Sequence, residues 1–153
     1  RAVAEALLEC GRPREALRTA QEALAMFQED GQAPGDHDAL EEARCLTLLA
    51  TIQLWMSADG SWRRSNLERD KDRALQLLEP QPQHSLALAD ALLFAASVHH
   101  SFKEYDDAGN LAARSRMIFK QVGHPRGEGR ACMALCKVQL QCQEVRKALH
   151  AAE

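Results

Sequence analysis

Apolar residues recur along this chain at intervals of three and four positions, which is the spacing of one face of an α-helix. Leu86, Ala89, Leu93 and Ala96 follow this spacing and predict one buried stripe on their helix. Because comparable segments fill most of the sequence, we expect an all-α protein. The predicted helices span residues 1–9, 14–29, 38–56, 65–79, 85–101, 104–121, 126–141 and 144–153.

Two blocks of the chain align without gaps and indicate an internal repeat. Residues 42–54 (EARCLTLLATIQL) match residues 128–140 (EGRACMALCKVQL) at Glu, Arg, Leu, Gln and Leu. The same lead-in, an aromatic residue followed four positions later by glycine, stands upstream of each block at Phe27 and Gly31 and at Phe119 and Gly123. Each lead-in predicts a long helix closed by glycine.

A second pattern marks the turn and second helix of each predicted hairpin. It occurs at Gly11-Arg-Pro-Arg-Glu-Ala16, Lys103-Glu-Tyr-Asp-Asp-Ala108 and Gln143-Glu-Val-Arg-Lys-Ala148. The last two alanines are 148 − 108 = 40 residues apart, and 108 − 16 = 92 leaves room for one further, enlarged unit through Leu67 and Ala74. The repeat units therefore span about 1–37, 38–83, 84–124 and 125–153.

A small residue in the first helix, a turn, and an acidic residue before Ala-Leu in the second helix resemble the tetratricopeptide repeat (TPR). The period near 40 and the spacing of Phe119, Gly123 and Glu128 resemble the longer-helix subclass seen in G-protein regulators of spindle orientation and related scaffolds. The resemblance implies a right-handed superhelical solenoid of antiparallel helix hairpins, with about four repeats, the last incomplete. We expect residues 1–153 to form one such domain, as a fragment of a longer protein.

The resemblance also implies close helix packing at small residues. These are Ala4, Ala50, Ala96 and Cys136 in the first helices, and Ala16, Ala20, Ala23, Ala74, Ala108, Ala112 and Ala148 in the second helices. The second repeat departs from the family pattern through an insertion at residues 57–61 and through Leu67, where alanine is expected.

In the resembled family the first helices line a concave groove that receives a peptide or a helix. The corresponding positions are Glu5, Glu9, Arg44, Thr47, Thr51, Trp55, Asp90, Leu93, Ser97, His100, Arg130, Met133, Lys137 and Gln141. Arg44 and Arg130 occupy equivalent positions and favour an acidic partner, for which Trp55, Leu93 and Met133 would supply apolar contacts. The asparagines that hold a C-terminal carboxylate in chaperone-binding members are absent from these positions, so we expect no carboxylate clamp.

Residues that could carry chemistry have simpler structural interpretations. Cys132 and Cys136, with Cys142 and His150, could bind a metal, but the repeat alignment predicts buried packing positions for the first two. His99 and His100 point about 100° apart on a helix and cannot easily share one ligand.

Nor does the sequence offer other catalytic machinery. Residues 123–129 are glycine-rich but lack a phosphate-loop lysine, which favours an interhelix turn. No Ser, His and acid arrangement has an interpretable spacing. We therefore expect neither an enzyme nor a bound cofactor or metal.

Composition narrows the functional classes. The 19 Lys and Arg are interspersed with 22 Asp and Glu, for a net charge of −3, which gives no basic surface for nucleic acid. The longest apolar run, near residues 86–98, is interrupted by Asp90, so we expect no membrane insertion. Five cysteines within helical patterns favour a reducing, cytoplasmic location.

Two functions remain open. The chain could be a protein-protein interaction scaffold or adaptor segment that binds a peptide or helix in its groove. Alternatively, it could be a structural or regulatory superhelical arm of a larger protein whose activity lies outside this segment.

Overall fold

The computed structural model describes residues 2–29, 36–56 and 64–152, and helices are the only regular elements in these ranges. The helices are α1 (Ala2–Glu9), α2 (Pro13–Glu29), α3 (Asp36–Met56), α4 (Arg64–Leu78), α5 (Ser85–Ser101), α6 (Tyr105–Gln121) and α7 (Pro125–Ala152). A short 3-10 turn, Pro82–His84, precedes α5. The predicted all-α class is confirmed, whereas the insertion predicted at residues 57–61 lies outside the described residues.

Three turns between consecutive helices use one backbone device. Gly11, Lys103 and Gly123 have φ angles of 71°, 64° and 67°, the left-handed conformation that commonly ends a helix. At each turn the next residue's amide donates to a carbonyl in the preceding helix, as His124 N does to Phe119 O at 2.9 Å. Gly11 and Lys103 are the first residues of two matching sequence segments, so the turns predicted at both places are confirmed.

The third copy of that sequence pattern does not form a turn. The sequence predicted a break between residues 141 and 144, but α7 continues through this segment to Ala152. Here Gln143 stands where Gly11 and Lys103 stand in the other copies. Neither glycine nor proline interrupts residues 139–148, and glutamine, glutamate, lysine and arginine all favour a helix. The prediction of two helices in this region was therefore wrong.

The chain divides into two compact units, Arg1–Ala87 and Leu88–Glu153. In the first unit, α1, α2 and α3 pack around a core of small and aliphatic side chains: Ala4, Ala16, Ala20, Leu49 and Ile52. Helices α3 and α4 are joined by an ion pair between the buried Glu42 and Arg73, with N to O distances of 3.0 and 3.3 Å. Glu42 lies early in α3 and Arg73 late in α4, so these helices run antiparallel.

In the second unit, α5, α6 and α7 share a core formed by Ala89, Leu93, Phe119 and Ala131. Ser115 is fully buried on α6, and its Oγ donates to the carbonyl oxygen of Ala89 on α5 at 2.7 Å. Because Ala89 lies early in α5 and Ser115 late in α6, these helices also run antiparallel. The hydrogen bond satisfies a hydroxyl that would otherwise be costly to bury.

Most of the predicted small packing positions are buried. Exposure is at most 2% at the eight residues Ala4, Ala16, Ala20, Ala50, Ala74, Ala96, Ala108 and Ala112. Ala23 is only half-buried, and the side chain of Ala148 lies outside the described residues.

Two predictions of burial were wrong. Cys136 is exposed because it lies on the face of α7 opposite Ala131 and Val138, which are buried, and Cys132 is half-buried. Leu86, expected in the buried stripe of α5, is 39% exposed because it lies in the first turn of the helix, before the packed part that begins near Ala87.

Candidate binding pocket between α5 and α7

Two helices that the repeat pattern assigns to equivalent positions lie side by side in the second unit. Arg130 of α7 donates from Nη1 to Asp90 Oδ1 of α5 at 2.8 Å, across a sequence separation of 40 residues. That separation equals the repeat period found in the sequence. The ion pair joins the N-terminal parts of both helices, and the residues that follow it, up to His100 on α5 and Val138 on α7, line one pocket. This pattern indicates that α5 and α7 run in the same direction.

A pocket of about 350 Å³ lies between these helices. Its lining consists of Leu93, Ala96, Ser97 and His100 from α5, and Arg130, Met133, Ala134, Lys137 and Val138 from α7. The walls are mainly apolar, and the charged groups stand on one side only, on α7. This volume lies within the range of about 300–1,000 Å³ typical of ligand sites.

Internal contacts engage two of the four polar side chains that line the pocket, Ser97 and Arg130. Ser97 Oγ donates to the carbonyl oxygen of Leu93 at 3.1 Å. The His100 ring packs edge-on against Tyr105 at 5.7 Å between centroids, but its buried Nε2 has no hydrogen-bond partner among the described residues. Arg130 is paired with Asp90. Lys137 is exposed and makes no ion pair or side-chain hydrogen bond with any residue that the structure describes fully.

An exposed apolar side chain contributes to the pocket lining. Met133 is 60% exposed, although it lines a concave surface beside Leu93, which is only 6% exposed. A large apolar side chain at the mouth of a pocket would lose unfavourable contact with water if another molecule covered it.

The sequence-predicted groove residues of the second unit are largely brought together. Six of them line the pocket: Leu93, Ser97, His100, Arg130, Met133 and Lys137. Asp90 lies beside these residues through its ion pair with Arg130. Gln141 is exposed, one helical turn beyond Lys137 on α7, and is not among the lining residues.

The predicted residues of the first unit whose side chains are described make mainly local contacts on their own helices. Arg44 donates to Glu41 Oε1 at 2.9 Å, one turn earlier on α3. Thr47 and Thr51 hydrogen-bond to backbone carbonyl oxygens of α3 itself, at 2.8 and 2.7 Å. Trp55 belongs to α3, but its side chain lies outside the described residues. Glu5 and Glu9 are exposed on α1.

Sequence reasoning missed part of the pocket wall. Ala134 and Val138 line the pocket but were not among the predicted groove residues, and Ala96 was assigned only a packing role. Ala134 and Val138 follow Arg130 at intervals of four residues, so helical spacing alone could have placed all three on one face of α7.

The first unit contains a larger but more polar cavity, of about 620 Å³, among α2, α3 and α4. Its charged groups contact one another: Arg73 pairs with Glu42, and Arg69 with Asp70 at 3.0 Å. Since these charges are already neutralised within the chain, the cavity has less to offer a ligand than the pocket between α5 and α7.

One group of side chains has the composition of a metal site. Ligand atoms of His99, Glu104 and Asp107 all lie within 4.8 Å of one another, at the turn between α5 and α6. A hydrogen bond of 2.7 Å between His99 Nδ1 and Glu104 Oε2 accounts for the closest pair as a contact that closes this turn. Among the described residues, the cysteines form no such group, and His150 lies outside the described side chains.

Comparisons with known proteins match no family model, no curated protein and no solved structure. In the described part of the chain, no helix combines the length and the apolar character needed to cross a membrane.

Proposed function

We propose that this chain is an interaction segment that holds a peptide or helix of a partner protein in the pocket between α5 and α7. The observation that carries the proposal is the pocket itself, in which apolar walls and the exposed Met133 meet a few polar groups. Apolar contacts of this kind give binding energy, and the polar groups orient the bound segment.

We further propose that the pocket is part of a longer groove in a TPR-like solenoid. The antiparallel pairing of α5 with α6, the parallel course of α5 and α7, and the ion pair across one repeat period support this architecture. In such an array, first helices from successive hairpins form one continuous surface. The proposed scaffold or adaptor role follows from that surface.

A matched pair of serine substitutions tests the proposed site. Ser97 and Ser101 are both exposed on α5, and both donate to a backbone carbonyl oxygen, at 3.1 and 2.7 Å. Only Ser97 lines the pocket. Ser97→Trp should therefore fill the pocket, whereas Ser101→Trp introduces the same side chain at the end of the helix.

Peptides selected from a random displayed library against the wild-type chain provide the probe. They should bind the Ser101→Trp variant with wild-type affinity and the Ser97→Trp variant at least tenfold more weakly, a loss of about 1.4 kcal/mol. Equal melting temperatures of the two variants establish that both are folded. If the selected peptides bind Ser97→Trp as well as the wild type, the proposed site is wrong. Failure to select any peptide contradicts the proposed function itself.

A further inference from the structure

The sequence places two cations, Arg130 and Lys137, at the rim of the pocket, but the structure pairs one of them with an acidic residue. Two cations of α7, Arg130 and Lys137, line the pocket. Arg130 contacts Asp90 at 2.8 Å, and the side chains of both members of this pair are about half exposed, at 53% and 42%. The pair therefore contributes almost no net charge to the rim, and Lys137 supplies the remaining positive charge.

Geometry separates the roles of these two cations. Lys137 lies two helical turns after Arg130 on the same helix, so both side chains project from one face of α7. Asp90 faces Arg130 from α5 and repels any second carboxylate that approaches this guanidinium. A carboxylate that approaches Lys137 meets no such competitor among the fully described side chains.

We propose that the pocket recognises an acidic segment: an apolar side chain enters between α5 and α7, and a neighbouring carboxylate of the same segment binds Lys137. This inference rests on the proposed function and adds to it the chemistry of the partner. It also assigns a specificity role to Asp90, which lowers the attraction of Arg130 for the same ligand. Charge complementarity favours this occupant over a neutral or basic one.

The test uses three fluorescent peptides that share a central leucine and differ in its neighbours, which are aspartates, asparagines or lysines. Their affinities for the wild-type chain are measured by fluorescence anisotropy at low and moderate salt. The aspartate peptide should bind most tightly and the lysine peptide most weakly. The preference for aspartate should shrink as salt increases, because exposed charges are screened.

Three variants assign the charge preference to individual residues. Lys137→Gln should lower the affinity for the aspartate peptide about twofold to fivefold, which corresponds to the loss of one exposed ion pair. The affinity for the asparagine peptide should not change. Asp90→Asn removes the carboxylate that pairs with Arg130, so it should raise the affinity for the aspartate peptide by a similar factor. Lys120→Gln removes an exposed cation of α6 that does not line the pocket, and serves as the control.

The outcomes separate this inference from the proposed function. If all three peptides bind the wild type equally, and Ser97→Trp abolishes binding, the pocket is used but its charge preference is refuted. If the aspartate peptide binds tightly and Lys137→Gln changes nothing, Lys137 is not the carboxylate contact. If none of the peptides binds and library selection also fails, the proposed function fails with it.

Discussion

Two glycines in the first turns of α7 should respond oppositely to the same substitution. A Cβ at Gly127 would lie 2.5 Å from Phe119 Cε1, closer still to Phe119 Cδ1, and 2.6 Å from His124 Nδ1. At Gly129, two residues further along the same helix, an added Cβ meets no atom within 4 Å. Alanine at position 127 must therefore displace a packed ring, whereas alanine at position 129 enters open space.

The expected magnitudes follow from the surroundings of Gly127. Phe119 is fully buried, so its ring cannot move aside without repacking the core of the second unit, at a cost of about 1–3 kcal/mol. The clash also disturbs the bond in which Gly127 N donates to His124 Nδ1 at 3.0 Å, which caps α7 and contributes about 1 kcal/mol. Replacing a helical glycine by alanine stabilises the helix by at most about 1 kcal/mol. Gly127→Ala should therefore destabilise the protein by about 1–3 kcal/mol.

Gly129→Ala should instead stabilise the protein by about 0.5–1 kcal/mol, since only the helix preference changes. The assay is urea unfolding of the wild type and both variants, monitored by circular dichroism. The unfolding free energies are compared with one common value for their dependence on urea concentration. The two variants should fall on opposite sides of the wild type. The packing described for Phe119 and α7 is refuted if Gly127→Ala is as stable as Gly129→Ala.

Two further substitutions test contacts elsewhere in the fold. Lys103 has a φ of 64°, a left-handed conformation that glycine adopts without strain. Lys103→Gly should therefore stabilise the protein by about 1 kcal/mol. A lower unfolding midpoint for this variant would contradict the described turn. Arg73→Gln removes the partner of Glu42, which is 95% buried, and should lower the unfolding free energy by about 1–3 kcal/mol. As a control, Arg18→Gln removes one member of the exposed pair with Glu22 and should change the unfolding free energy by less than about 0.5 kcal/mol. Equal effects of these two variants would show that Arg73 does not stabilise Glu42.

The helices could be predicted from the sequence because their apolar spacing and their terminating residues agree. The prediction for α5, residues 85–101, matches Ser85–Ser101, and glycine at positions 11 and 123 ends α1 and α6 as expected. The break predicted near Gln143 failed because it relied on resemblance to two other segments. Nothing in the local residues opposes a continuous helix there.

The pocket was partly predictable, but its electrostatics were not. The resemblance to a repeat family predicted Leu93, Ser97, Met133 and Lys137 as groove residues, and all four line the pocket. The pairing of Arg130 with Asp90 depends on how two helices 40 residues apart are placed side by side. Opposite charges at equivalent repeat positions are a signal that could have revealed it.

The central claim, that a partner segment occupies the pocket between α5 and α7, is tested most directly by the methyl resonances of two methionines. Met133 and Met117 are 60% and 61% exposed, but only Met133 lines the pocket. With isotope-labelled methionine methyl groups, titration of a library-selected peptide should shift the Met133 resonance and leave that of Met117, on α6, in place. A shift of Met117 without a shift of Met133 would place the partner on another surface and contradict the account.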